Sequence, residues 1–238
     1  MRLRMAAYLA ALTFFVSGCA GEEASSSSMP QDSSSQETEE SASQESAQEE
    51  EATTYPKGKM FVCRDRLDYR DGDLVLRVER LDLEAEIVGE FDEETVEKLS
   101  GGTMTKEEQT AFFSTSTGDE LLKKGIVLLN NASLPGNNTN SNVSLSGHRD
   151  IYGKEFLHID ELTEGDLLYL TYGGVEYEYT YEETTIHAPD DWSITYCGSE
   201  PMLTLISCDP VGTSLHRIVA KARLTASRPA ESPAEDGT

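Results

Sequence analysis

Apolar and polar positions alternate with period two along much of the second half of the chain, which predicts strands rather than helices. The clearest run sets Val175, Tyr177, Tyr179 and Tyr181 against Glu176, Glu178, Thr180 and Glu182. Such a strand buries its aromatic face and wets its acidic one. Gly173-Gly174 ahead of it is a hairpin signal that joins it to residues 167–171. Earlier, Leu74, Leu76 and Val78 alternate, and Leu81, Leu83, Ala85 and Ile87 continue in the opposite parity. That change of parity predicts a bulge or a bend. Residues 126–129, 143–146, 203–208 and 218–224 read as further strands. Helical signals are few. Asp92 can cap a turn running to Leu99, and Thr105 to Glu108 and Thr117 to Glu120 fit capping boxes. Lys123-Lys124-Gly125 closes the helix that follows the second box, and Phe156, Leu157, Ile159 and Leu162 suggest a short one. Roughly eight strands with short helices predict a mainly β chain, one antiparallel-rich β-barrel.

The first quarter of the chain has a different pattern. Arg2 and Arg4 precede a short apolar run to Val16, about a dozen residues where a membrane span needs around 20. It ends Val16-Ser17-Gly18-Cys19, which resembles a bacterial lipobox with Cys19 as the lipidated residue. Residues 20–52 then hold ten acidic residues and no Lys or Arg among Ser, Gln and Ala. Such a stretch cannot bury enough apolar surface to offset its ordering entropy. The expected organisation is a lipoprotein signal peptide over 1–18, a disordered tether over 19–56, a folded domain over 57–226 and a polar tail over 227–238. A two-chain lipid on Cys19 implies an extracytoplasmic protein held at the outer face of a bacterial membrane. The net charge of −25 argues against a nucleic-acid partner.

Candidate chemistry gathers at strand ends. The stretch from Thr204 to Arg217 (TLISCDPVGTSLHR) starts as a strand and breaks at Asp209-Pro210, so Cys208 sits where a loop begins. A strand, a turn and a second strand bring Arg217 back beside the sulfur. Upstream, residues 143–150 (VSLSGHRD) repeat the pattern and end in Gly147 and His148. A thiol, an imidazole and a guanidinium make a nucleophile, a proton carrier and an anion stabiliser. Ser207 and His216, flanking the cysteine and the arginine, are candidate substrate contacts, although alternation turns His216 away from Arg217. His158 and His187 read as surface residues, and Trp192 as a loop residue that contacts a peptide or caps the barrel end. Export permits a disulfide, and Cys63 with Cys197 is the pairing that leaves Cys208 free; two buried thiols are the alternative. No C-x-x-C or H-x-x-x-H spacing supports a metal site, and no cofactor is expected.

At these residues the sequence resembles the sortases. That family's signatures are a strand ending TLxTC, an earlier GHR-type histidine, and an arginine a short loop after the cysteine. Here they read Thr204 to Cys208, Gly147-His148-Arg149 and His216-Arg217. Leu134-Pro135-Gly136 and Gly165-Asp166 belong to the same similarity, which spans about 74–224. Ser207 stands where the family has Thr, and the hydroxyl is kept. The short loop from Cys208 to Arg217 resembles those of the pilin-polymerising and related classes. The resemblance implies a closed eight-stranded sortase barrel. It also implies a cysteine transpeptidase that cleaves an LPXTG-like motif through a thioester on Cys208 and transfers the acyl group to an amine of the cell wall or of a pilin. A papain-like protease expects the cysteine before the histidine, whereas here His148 comes first. The competing reading is a non-catalytic surface lipoprotein that binds a peptide or ligand on a barrel.

Overall fold

The computed structural model describes residues 52, 54–59, 61, 69–89, 107, 116–129, 132–136 and 138–230. Two compact units divide the chain, Met1–Ala47 and Gln48–Thr238, and every described residue belongs to the second. The expected lipobox, most of the tether and the two helical turns around Asp92 and Thr105 lie outside the described residues.

Eight strands form one sheet: β1 (Val75–Val78), β2 (Leu83–Glu86), β3 (Val127–Leu128), β4 (Asn142–Ser146), β5 (Leu167–Tyr172), β6 (Val175–His187), β7 (Met202–Asp209) and β8 (His216–Pro229). The strand order is β2-β1-β5-β6-β8-β7-β4-β3. Helix α1 (Ser116–Lys124) precedes β3, with Lys123 and Lys124 in its last turn. The sheet curls into a half-barrel, which corrects the closed barrel expected from the sequence. The edge strands β2 and β3 are four and two residues long, too short to form a closing ladder. A single bridge links the two edges, with Val88 N–H donating to Ile126 O and Leu128 N–H to Val88 O, each at 2.8 Å.

Local sequence accounts for the turns. The parity change after Val78 is a tight hairpin rather than a bulge in one strand. A 3-10 turn over Glu79–Leu81 ends at Asp82 in the left-handed region (φ 48°), and Val78 pairs with Leu83. Gly173 and Gly174 have φ of 58° and 77°, the positive values that a two-residue type I′ hairpin requires. Two register shifts bend β6, at Glu178/Tyr179 and Tyr181/Glu183. β8 runs on to Pro229, five residues beyond the expected end of the strand.

The concave side and the loops enclose one core. Leu74, Leu76, Ile126, Leu128, Leu145, Phe156, Leu203 and Val219 are all fully buried in it. Of the alternating tyrosines, Tyr179 is buried at 1% exposure, and burial pushes its phenol well above the ordinary range. Trp192, in a 3-10 turn over Trp192–Thr195, packs half-buried against this core. The lead-in segment straps across neighbouring loops. Tyr55 exchanges hydrogen bonds with the Asn140 side chain, donating N–H at 2.8 Å and accepting at 3.0 Å, and Gly58 N–H reaches Cys197 O at 3.0 Å.

Candidate active site

Every strand in the middle of the sheet is antiparallel to its neighbours except for the β4–β7 pair, and that exception positions the site. β4 and β7 run parallel with a constant offset, Asn142 opposite Met202 through Ser146 opposite Ile206. Two parallel strands end at the same edge. The chain leaves β4 through Gly147 into His148 where β7 reaches Cys208. β8 then returns antiparallel, with Cys208 opposite Arg217 and Asp209 opposite His216. Residues directly opposite in an antiparallel pair share a face with Cβ atoms ~5 Å apart. The stems of Cys208 and Arg217 therefore rise side by side, while His216 is on the other face and exposed.

The ladder between β4 and β7 stops at Ser146, but the pairing continues through other bonds. Gly147 N–H donates to Ile206 O at 3.2 Å. The Ser207 hydroxyl donates to Gly147 O at 2.6 Å. Ser207 was expected against substrate; at 2% exposure it is buried, and its hydroxyl is committed to the backbone before His148. His148 itself is half-buried, with its ring 5.1 Å from that of Tyr152 at a tilt of 41°.

Arg217 is half-buried, and its Nη1 donates to Ser214 O at 3.3 Å and to His216 O at 3.0 Å. Those carbonyls hold the guanidinium at the mouth of the β7–β8 turn. In a chain this acidic, no carboxylate among the described residues lies within ion-pair distance of Arg217. Its charge is left for an anion that arrives. Cys208 is partly exposed and free, as a nucleophile must be.

Two residues near the site were not singled out from the sequence as functional. His187 ends β6 directly opposite Arg217, so Cys208, Arg217 and His187 form one row across three strands. Its Nδ1 lies 2.9 Å from Asp191 Oδ2 and its Nε2 2.8 Å from Thr185 Oγ1. The residue is partly exposed, as the surface reading had it, but it ends a strand rather than sitting in a loop. The Ser193 hydroxyl holds the Asp191 carboxyl below its usual range, against an opposing effect of burial and with help from His187. The second is Arg149, whose side chain is 4% exposed and pairs with both Asp160 and Asp209. Its place in the GHR triplet was the only sequence signal.

The remaining expected residues divide simply. His158 is exposed and 2.8 Å from Glu161. Cys197 is a free thiol at 1% exposure, and burial pushes its pKa up. Cys19 and Cys63 lie outside the described residues. Among the described residues, no three His, Cys, Asp or Glu side chains cluster to hold a metal ion. Among them, too, no helix is long and apolar enough to cross a membrane.

Comparison with known proteins bears on the fold and the family. Among solved structures, sortase C-3 from Streptococcus pneumoniae is similar at 22% identity and a TM-score of 0.52, covering 68% of this chain and 67% of its own. Sortase C-1 from Actinomyces oris gives 18% identity and a TM-score of 0.52, with 67% and 77% covered. A lid mutant of sortase A from Corynebacterium diphtheriae gives 19% and 0.50, with 66% and 72% covered. At these identities the likeness carries the fold. No curated protein matches the chain. The sortase-domain family model matches residues 76–225, which takes in all eight strands but the first residue of β1 and the end of β8. The chain belongs to the sortase family, the cysteine transpeptidases.

Proposed function

We propose that this protein is a cell-surface transpeptidase that cleaves an LPXTG-like sorting motif and passes the acyl group to an amine on the cell wall or a pilin. The observation that carries this reading is the cross-strand pair of Cys208 and Arg217, with no carboxylate among the described residues neutralising the guanidinium. A thiol needs its attacked carbonyl polarised, and a cation beside the sulfur that carries no carboxylate partner suits the oxyanion that develops.

In this reading the Cys208 thiolate attacks the Thr–Gly carbonyl carbon. The C–S bond forms, and Arg217 and backbone amides hold the oxyanion. Collapse breaks the C–N bond, and His148 gives its proton to the leaving glycine amine. The acceptor amine then attacks the thioester and loses its proton to His148, and the thiolate leaves. The thioester keeps the acyl group activated, so one amide is exchanged for another without ATP. His148 reaches both steps because the parallel β4–β7 pairing ends both strands at one edge. The same proposal reads residues 1–18 as a lipoprotein signal peptide, Cys19 as the lipid anchor and the acidic stretch after it as a tether. The protein would then act at the outer face of the bacterial membrane.

Incubation with an LPXTG-type peptide library, followed by mass spectrometry of the intact protein, tests the reading. An acyl adduct on Cys208 is expected, and Cys208→Ala should abolish both the adduct and cleavage while leaving the fold unchanged. Turnover by Cys208→Ala equal to that of the unaltered chain would overturn it.

A further inference from the structure

The two residues that follow His148 and Cys208 are joined to each other. Arg149 comes directly after His148, Asp209 directly after Cys208, and Arg149 Nη1 donates to Asp209 Oδ1 at 2.9 Å. The second arm of the same guanidinium donates to Asp160 Oδ1 at 2.6 Å and to Leu157 O at 3.4 Å. Asp160 belongs to the 3-10 turn over Ile159–Glu161, which closes the loop leaving His148. One buried fork thus ties the nucleophile's strand to both ends of the histidine loop.

On the other side of His148, Gly147 is fixed to Ile206 and Ser207. The histidine is bracketed. The β4–β7 ladder ends two residues before it, one backbone bond from Gly147 to Ile206 extends the pairing, and side-chain bonds continue the register from there. A solvent-exposed ion pair would contribute little to such a task. Arg149 is different, because its own side chain is 4% exposed and Asp209's is 24% exposed, although that of Asp160 is 58% exposed. Losing one partner of a buried charge pair leaves the other uncompensated, so the loop must rearrange. The planar fork also explains the residue type, since an ammonium is a single point charge that cannot reach two carboxylates in a fixed geometry.

We propose that Arg149 is a positioning residue of the reaction: it holds the His148 backbone in register with Cys208 through Asp209 and anchors the loop through Asp160. It touches no reacting atom. This rests on His148 and Cys208 being the catalytic pair.

The test uses the full chain and its Arg149→Lys, Arg149→Gln and Asp209→Asn variants. Steady-state cleavage of a fluorogenic LPXTG-type peptide is measured together with amide hydrogen exchange. Because a misplacement of about 1 Å costs roughly 10²-fold, Arg149→Gln should lower kcat by about that factor with KM within about threefold. Arg149→Lys, which retains one pairing, should fall between. Exchange should quicken over 148–156 and stay unchanged in β1 and β5. A kcat close to that of the unaltered chain would overturn the proposal, and so would exchange that quickens evenly through the domain. Should Arg149→Gln fail to fold, Asp209→Asn removes the charge from the same link and must still lower kcat more than it raises KM. If the unaltered chain cleaves no peptide, the transpeptidase reading fails instead. The exchange arm then decides the clamp alone: local quickening upholds it, and an unchanged loop refutes it.

Discussion

Gly147→Ala is a one-methyl change at the point where β4 hands over to His148. Gly147 is buried, and an added Cβ would lie 3.0 Å from Phe156 Cδ2, 3.1 Å from Cε2 and 3.4 Å from Ile126 Cγ1. Neither neighbour can swing aside, because Phe156 and Ile126 are both fully buried in the core. Gly147 is not among the residues at positive φ, so alanine fits the backbone and gains about 0.4–1 kcal/mol by restricting the unfolded chain. Overpacking opposes this by about 1–3 kcal/mol. With two contacts at or near 3.0 Å, the clash wins, for a net loss of ~1–2 kcal/mol. Phe156 N–H donates to His148 O at 3.0 Å, so any shift of the ring carries the histidine with it. Activity should therefore fall by more than the loss of stability accounts for. Urea unfolding followed by fluorescence measures the first quantity, and kcat on a sorting-motif peptide the second. Phe156→Leu in the same chain makes room for the methyl, so the double variant should be less destabilised than the sum of the singles, by ~0.5 kcal/mol or more. A Gly147→Ala protein as stable as the parent, or strictly additive double-variant energies, would refute the packing argument.

Ser207→Ala removes the donor of a buried 2.6 Å bond to Gly147 O and should cost about 1–3 kcal/mol in urea unfolding. Ser207→Thr keeps the bond and should stay near the parent. Iodoacetamide followed by peptide mapping should label partly exposed Cys208 in the native protein. Cys197, buried with its thiol pushed up, should be labelled only after unfolding, and equal labelling would contradict the buried placement. Because the folded Asp191 carboxyl titrates below its ordinary value, its contribution is complete above about pH 4–5 and is lost as pH falls through the depressed pKa. The urea-midpoint gap between the parent and Asp191→Asn should therefore narrow on acidification, and a gap that does not change as pH falls would be inconsistent with that depression.

What the sequence disclosed depended on how local the determining contacts are. Cys208 and Arg217 belong to one hairpin, so alternation and a turn signal were enough to pair them. The parity change after Val78 was legible, but its form was not. A bulge and a short hairpin flip parity alike, and only the pairing of Val78 with Leu83 separates them. The extent of β6 was lost for a similar reason. The register shift at Tyr181/Glu183 breaks the alternation at Glu182-Glu183, so the strand seemed to end there and His187 looked like a loop residue. Closure of the barrel failed because it depends on two edge strands of unequal, short length. The family pattern gives strand number but says nothing of ladder length.

The least legible feature is the one on which the site most depends, the parallel register of β4 against β7. Hydrophobic alternation sets register only where one face is wet, and β4 is buried on both faces for its first four residues. A one-residue slip would cost little in apolar burial. Polar cross-links fix the alignment instead. Asn142 Oδ1 accepts from the Thr204 hydroxyl at 2.7 Å at one end of the pair. Ser207 with Gly147, and Arg149 with Asp209, hold the other end. A slip would leave all three links unmade, the first two in buried surroundings and the third on a buried guanidinium, at about 1–3 kcal/mol each, a sizeable share of the ~5–15 kcal/mol that stabilises a whole domain. Asn142, Thr204 and Ser207 are polar side chains buried within strands, which packing alone would not select. Together the three links remove every register but the one that puts His148 level with Cys208, so the bonds that select the fold also align the chemistry.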